Sequence, residues 1–263
     1  MRTRTKVGLG VVVLVAAGIG VGVWYFYSGD EPEAASVENA IGTTATTAAA
    51  AAAADDETTP TDAATSPAAT TTPAEDVDIA GSWTVVPNDQ GFDYDDEQGT
   101  FAGFRIAEEL AGIGSTTAVG RTRDVTGTIT FDATTLTEAT FEVDMATITT
   151  NDSRRDDQVA RALEVDDFPT GTFTLTEPVD LGDAATSGDV VEVTAVGDLS
   201  IHGVTEPVEI PLEAQLIGDQ IAVAGSLDID FADYGVAVPD SQIVVSVEDH
   251  GIMEIQLVLQ SAR

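Results

Sequence analysis

Histidine and cysteine, the side chains most often used for catalysis and metal binding, are scarce in this sequence. The 263 residues include no cysteine and only two histidines, His202 and His250. Thiol catalysis, disulfide scaffolds and zinc sites built from cysteine or several histidines are therefore excluded as the basis of function. The chain also contains no Gly-x-Ser-x-Gly motif, so a nucleophilic serine of the hydrolase type is not indicated.

His202 is the one histidine in a recognisable local motif. It lies in the segment Ile201–Thr205 (IHGVT), whose glycine indicates a turn between two β segments. The alternation of the flanking residues assigns its side chain to the polar face, which favours a structural role with hydrogen bonds across the turn. The alternative, in which His202 acts as a general acid or base, stays open at this point.

Two kinds of charged cluster also suit ligands. Arg154 and Arg155 are adjacent and suit a phosphate headgroup, but the acidic residues beside them favour surface ion pairs. The acidic runs 93–97 and 164–167 suit a hard cation, but neither has the spacing of a calcium loop. We interpret both runs as solvated charge, so the sequence predicts no metal and no cofactor.

The overall charge excludes a further class of protein. The chain has 10 basic and 46 acidic residues, which gives a formal net charge of −36. A protein that binds nucleic acid needs clustered lysine and arginine to neutralise phosphates, so this class is excluded. A binding module, an enzyme that uses carboxylates and a structural surface protein remain as candidate classes.

The N-terminus reads as a membrane anchor. Residues Val7–Tyr27 form an uncharged run of 21 residues, long enough to cross a bilayer as a helix. Basic residues precede the run and acidic residues follow it, which predicts a cytoplasmic segment 1–6 and an extracytoplasmic remainder. Because the run ends in aromatic and then acidic residues, an uncleaved transmembrane helix is favoured over a cleaved signal peptide.

Residues 28–79 read as a linker of low complexity. Alanine and threonine make up 27 of these 52 residues, and four prolines are scattered among them. Such a segment has too little large apolar surface to offset the entropy of ordering, so we predict a disordered tether between the membrane and the body. A plain spacer is favoured over an O-glycosylated stalk.

Residues 80–263 carry a β-rich body. Apolar and polar residues alternate with period two in seven or more segments, such as 125–131 and 253–259, so each strand has one apolar and one wet face. A two-residue turn near Gly218 indicates a hairpin, and only the segment 153–163 looks helical. An all-β antiparallel barrel or sandwich of about eight strands with one short inserted helix follows.

The apolar residues that alternate along these strands are the candidates for a cavity lining. An eight-stranded barrel either fills its interior with side chains or encloses one small ligand, and both alternatives stay open here. If a cavity exists, its ligand should be apolar. The predicted lining residues are Phe101, Phe104, Ile106, Phe131, Phe141, Phe173, Leu199 and Phe231.

Several ordered motifs resemble the YceI-like domain family. The segment Gly197–Ala214 (GDLSIHGVTEPVEIPLEA) is similar to the strand–turn–strand signature of the family. The segment Asn151–Phe173 resembles its charged helix followed by an aspartate-rich lead into a strand, and GTITFD at 127–132 and DYGV at 233–236 occur in the expected order. The resemblance covers residues 81–263. Histidines found in many members after the first strand and near the end of the second are absent.

The resemblance implies a fold and a function. The fold is an extended antiparallel lipocalin-like barrel, and the function is binding of a polyisoprenoid or similar amphiphilic lipid in an apolar cavity outside the cytoplasmic membrane. We therefore expect a membrane-anchored lipid-binding protein rather than an enzyme. The alternatives are an enzyme acting on an isoprenoid in the same cavity and a filled barrel with a structural role. Whether the barrel forms a homodimer stays open.

Overall fold

The computed structural model describes residues 31–42, 78–88, 91–110, 114–237 and 244–262. Within these ranges the chain forms thirteen β-strands and three short α-helices. The strands are β1 Gly81–Val85, β2 Phe101–Leu110, β3 Gly114–Thr122, β4 Val125–Asp132, β5 Thr135–Asp144, β6 Thr149–Thr150, β7 Thr170–Leu175, β8 Val179–Asp180, β9 Val190–Ile201, β10 Val204–Ile217, β11 Gln220–Asp230, β12 Val244–Val247 and β13 His250–Ser261. The helices are α1 Val37–Ala40, α2 Asp156–Ala162 and α3 Ala184–Ser187.

Eight of the strands close into an antiparallel barrel, which confirms the predicted fold class. The order around the wall is β1-β4-β5-β7-β9-β10-β11-β13, and pairing of β13 with β1 closes the ring. Closure removes the exposed edges that an open sheet of this size would present. Each strand therefore turns its apolar face to a shared interior, as period-two alternation requires.

The strand β13 pairs with different neighbours along its length. Its last residues, 259–261, pair with β1, whereas residues 252–256 pair with β2. β2 continues the sheet through β3 to the short strand β6. The wall is thus completed by β1 at one end of the barrel and by β2 and β3 at the other.

Two tight turns set the register of the longest strands. Gly218, in the hairpin between β10 and β11, has φ of +63°, as the sequence predicts for this turn. In the turn between β9 and β10, His202 and Gly203 have φ of +53° and +74°. Ile201 pairs directly with Val204, so odd-numbered residues of β9 face even-numbered residues of β10. As a result, the residues that face the barrel interior are odd-numbered in β9 and even-numbered in β10.

One helix lies between β6 and β7, as predicted, but it begins at Asp156, later than the start of the predicted helical segment 153–163. The residue before α2 is Arg155, and it makes no side-chain capping bond. Asp156 is the first helical residue, and its carboxylate accepts hydrogen bonds from the backbone N–H and the hydroxyl of Thr150, at 2.8 and 2.6 Å. The side chain at the helix start thus fixes the preceding strand β6.

Residues 31–42 correct part of the linker prediction. The sequence assigned the whole of 28–79 to a disordered linker, but α1 packs on the outer face of the barrel. Val37 and Ala40, three residues apart on one helical face, are 3% exposed and contact Ala222, Ala224 and Val258. Composition averaged over 52 residues does not detect so short an apolar pair. The structure does not describe residues 43–77.

Among the described residues, no helix is long and apolar enough to cross a membrane. The predicted transmembrane segment 7–27 and the predicted cytoplasmic segment 1–6 lie outside the described residues.

Candidate functional site

The barrel encloses a cavity of about 250 Å³. Its wall is apolar. Glu254 borders the cavity between Met253 and Ile255, but its carboxylate lies on the outer face of the wall, where Arg121 and Arg105 engage it. On β13 the lining extends from Met253 to Leu259, a span of about 20 Å at the rise of a β-strand. Such a long, narrow space suits a slender apolar chain better than a compact polar molecule.

The structure places seven of the eight predicted lining residues on the cavity wall. They come from five strands and the 3₁₀ turn 231–234, so the barrel brings together side chains that are far apart in sequence. These seven are Phe104, Ile106, Phe131, Phe141, Phe173, Leu199 and Phe231. Their contact with a ligand stays a prediction.

The assignment of Phe101 to the cavity is wrong. Phe101 and Phe104 are three residues apart on β2, so period-two alternation puts them on opposite faces of the sheet. The ring of Phe101 is 1% exposed on the outside of the wall, where the Arg121 guanidinium lies 4.3 Å from its centroid and Phe92 packs edge-on at 5.5 Å. Its burial is due to this outer cluster.

Large cavity side chains lie over glycines of neighbouring strands. A β-carbon on Gly120 would lie 2.4 Å from the ring of Phe104, and one on Gly127 would lie 2.3 Å from the ring of Phe141. The same close approach occurs at the pairs Gly197–Phe173, Gly225–Leu212 and Gly251–Phe231, at 2.4, 2.3 and 2.9 Å. Each large side chain lies flat against the wall, in the space that a side chain at the glycine position would otherwise fill. The middle of the barrel is therefore left open.

The two ends of the cavity differ in how tightly they are packed. Phe131, Leu257 and Leu259 are at most 6% exposed, whereas Phe104 and Phe231 are only partly buried. The second group lies toward α2, whose half-buried side chains Val159, Ala162 and Leu163 cover that end. We call this end the mouth of the cavity, and the opposite end, near Leu259, the closed end.

The helix at the mouth is held by ion pairs. Arg155 pairs with Glu108, a carboxylate that is only 6% exposed, and burial raises the pKa of Glu108 although Arg155 opposes the shift. Arg154 pairs with Asp152 at 2.6 Å, and hydrogen bonds from Arg154 lower the pKa of Asp152. The predicted surface ion pair is therefore confirmed for Arg154, whereas Arg155 pairs with a buried carboxylate of β2 instead of a surface acid beside it.

His202 also lies at the mouth end, beside the cavity lining. Its Nδ1 is 3.1 Å from the backbone oxygen of Tyr234, and its ring packs on Phe168 at a centroid distance of 4.6 Å. Its Nε2 is 3.4 Å from the Glu164 carboxylate without forming a hydrogen bond. The ring thus fixes the β9–β10 turn against neighbouring segments, as the structural interpretation predicts.

The acidic runs do not form a metal centre in the part of the chain that the structure describes. No three His, Asp or Glu side chains there are arranged to hold a metal ion. In the run 93–97, Asp93 and Asp96 instead accept hydrogen bonds from backbone N–H groups two residues further on, which stabilises the local turns of this loop.

The glycine–ring pairs and the cover by α2 are features that sequence reasoning missed. The first depends on cross-strand register, which a single sequence does not specify. The cover by α2 is indicated in the sequence, since Val159 and Leu163 lie one helical turn apart and form an apolar stripe on an otherwise charged helix.

Comparisons with known proteins agree with this architecture. The YceI-like domain model matches residues 94–259. Protein YceI of Shigella flexneri is 30% identical over 169 residues, covering 57% of this chain and 81% of that protein. A UPF0312 protein of Vibrio vulnificus is 26% identical over 141 residues, covering 50% of this chain and 71% of that protein.

A solved structure shows the same fold. It is a polyisoprenoid binding domain from Saccharophagus degradans, with a TM-score of 0.52 and 18% sequence identity over 68% of this chain and 98% of that one. The range matched by the family model spans more than half of the chain and includes most of the strands that line the cavity. This chain therefore belongs to the YceI-like domain family.

Proposed function

We propose that this protein is anchored in the cell membrane by residues 7–27 and holds a polyisoprenoid or similar amphiphilic lipid in its barrel outside the cytoplasm. The observation that carries the proposal is the apolar cavity whose large side chains lie over wall glycines. A filled barrel would direct those side chains to the centre. Transfer of a lipid tail from water to such a wall is favourable by about 25 cal/mol per Å² of apolar area.

Binding is sequestration rather than catalysis in this proposal. His202 lies beside the lining with one nitrogen facing a backbone carbonyl, and the Glu254 carboxylate is paired with two arginines. Neither group is poised to exchange a proton with a molecule in the cavity. The related domain from Saccharophagus degradans, described as binding polyisoprenoid, supports the choice of ligand class.

The location rests on the sequence. Residues 7–27 are long enough to span a bilayer, and the basic residues before them predict a cytoplasmic N-terminus. The barrel would then lie outside the cytoplasm, where lipids that leave the membrane need an apolar carrier.

Charge substitutions on the cavity wall test lipid binding. Phe104→Asp and Phe141→Asp each place an unpaired charge on the apolar wall, so we expect affinity for a fluorescent polyprenol analogue to fall by at least about tenfold. Thr128→Asp, which adds the same charge to the exposed outer face of β4, is the matched control. Circular dichroism checks folding, and the analogue should be recovered chemically unchanged. Folded variants that both keep full affinity would contradict the proposal.

A further inference from the structure

Residues 31–42, which we call the strap, lie along the outside of the barrel. At the start of the strap, Arg105 donates hydrogen bonds to the Glu31 carboxylate at 2.9 Å and to the backbone oxygen of Pro32. Arg121, which is fully buried, donates to the backbone oxygen of Glu33. Two arginines of the barrel wall therefore hold the first three residues of the strap.

The second half of the strap is held by polar side chains of β13 and by apolar contacts. Ser36 donates its backbone N–H to Gln256 Oε1 at 3.1 Å, and Gly99 donates to the backbone oxygen of Ala40 at 2.9 Å. Val37 and Ala40 lie against small apolar residues of the outer wall. Because Gln256 is fully buried beneath the strap, the wall is built to be covered here.

The strap has a defined direction along the barrel. Its start contacts Arg105, which pairs across strands with Ile252, at the level where Ile106 reaches the mouth. Its end lies beside Val258, near the closed end. The chain therefore enters the barrel surface next to the mouth and runs away from it.

The distance to the predicted anchor is short. Only residues 28–30 separate Tyr27 from Glu31, and these four Cα-to-Cα steps span at most about 14 Å. The much longer segment 43–77 begins after Gly42 and ends before Asp78, and both of these residues belong to parts of the chain attached near the closed end. The segment 43–77 therefore does not set the distance between the membrane and the barrel.

The mouth carries groups suited to a lipid surface. Val159 and Leu163 are half-buried there and form an apolar rim. The arginines beside them are balanced by carboxylates, since Arg154 pairs with Asp152 and Arg155 with Glu108. Contact with the bilayer therefore rests on the apolar rim and on headgroups without net charge rather than on attraction to anionic lipid.

We propose that the strap holds the barrel against the bilayer with the mouth facing the membrane, so that lipid passes directly between bilayer and cavity. This inference rests on the proposed membrane anchor and deepens the proposed function by naming the bilayer as the partner of the mouth.

The absence of cysteine allows a direct test. Asp166→Cys at the mouth and Asp219→Cys at the opposite hairpin each replace one exposed aspartate in the full chain. Both are labelled with the same fluorophore and inserted in phosphatidylcholine vesicles that contain lipid with a nitroxide headgroup. We expect severalfold stronger quenching at position 166 than at position 219. Equal quenching, or stronger quenching at 219, would overturn the proposal.

A strap variant identifies the cause of the orientation. Val37→Asp places a charge in the buried contact of the strap, whereas Glu38→Asp changes its exposed neighbour conservatively. With Val37→Asp we expect quenching at 166 to fall to the level at 219, and with Glu38→Asp we expect no change. Persistent quenching at 166 in Val37→Asp would overturn the role of the strap. Protein that does not float with vesicles would refute the anchor and this inference, whereas lipid extracted from the same protein reports on cavity binding separately.

Discussion

Phe104 on β2 lies over Gly120, its direct cross-strand partner on β3. A β-carbon on Gly120 would lie 2.4 Å from two ring carbons of Phe104, so the ring occupies the volume that a side chain at 120 would need. The glycine therefore lets a large apolar group contribute to the cavity wall without filling the cavity. Four further glycines of the barrel accept a large side chain in the same way.

Gly120→Ala should displace the Phe104 ring toward the cavity. Because the backbone at Gly120 is not in the left-handed region, alanine is tolerated there, and the clash involves mainly side-chain atoms. We expect less bound lipid per protein with little loss of secondary structure. Gly91→Ala, at a position with open space around it, is the control. Undiminished lipid in Gly120→Ala would show that the pair does not set the cavity space.

Cleavage within residues 43–77 should leave the two parts of the chain together. The strap accepts a hydrogen bond from the buried Arg121 and contributes two buried apolar side chains, so it should stay docked after the covalent link is cut. We expect an N-terminal fragment and the barrel to co-purify after digestion at an engineered protease site. In Val37→Asp they should separate. Separation without any strap substitution would mean that the docked strap is too weak to orient the barrel.

The ion pair between Arg121 and Glu254 should be costly to break. The Arg121 Nε lies 2.7 Å from Glu254 Oε1, and both side chains are at most 2% exposed. Glu254→Gln removes the charge that compensates two arginines, so we expect the free energy of unfolding to fall by about 3 kcal/mol. Urea denaturation measures this, with the exposed Glu209→Gln as control. A change as small as that of the control would show that the cluster is not energetically coupled to the fold.

Glu108 should make stability depend on pH. Burial raises its pKa in the folded state, so its favourable contribution is complete below the unfolded pKa, near 4.3, and is lost as pH rises through the folded pKa. As the pH rises from the unfolded pKa through the folded pKa, we expect the parent protein to lose stability relative to Glu108→Gln. Urea denaturation of both proteins at each pH measures the difference. Parallel pH profiles would contradict this.

Alternation alone predicts much of the fold and cavity, because the face of a strand on which a residue lies follows directly from its position along the strand. Phe131, Phe141 and Phe173 are placed on the wall for this reason. The prediction is wrong for Phe101, because it lies three residues before Phe104 and therefore on the opposite face of β2. The strap was missed because its binding surface, small apolar residues such as Ala222 and Ala224, is recognisable only once the outer face of the barrel is known.

The central claim is that the cavity holds a lipid, and mass spectrometry of an organic extract of the purified full-length protein tests it most directly. Phe104→Asp, purified in the same way, gives the background of lipid carried by the membrane anchor. We predict an intact long-chain isoprenoid or similar amphiphile in the parent extract, in near-stoichiometric amount and strongly reduced in the variant. Equal lipid content in parent and folded variant, with no species enriched in the parent, would contradict the account.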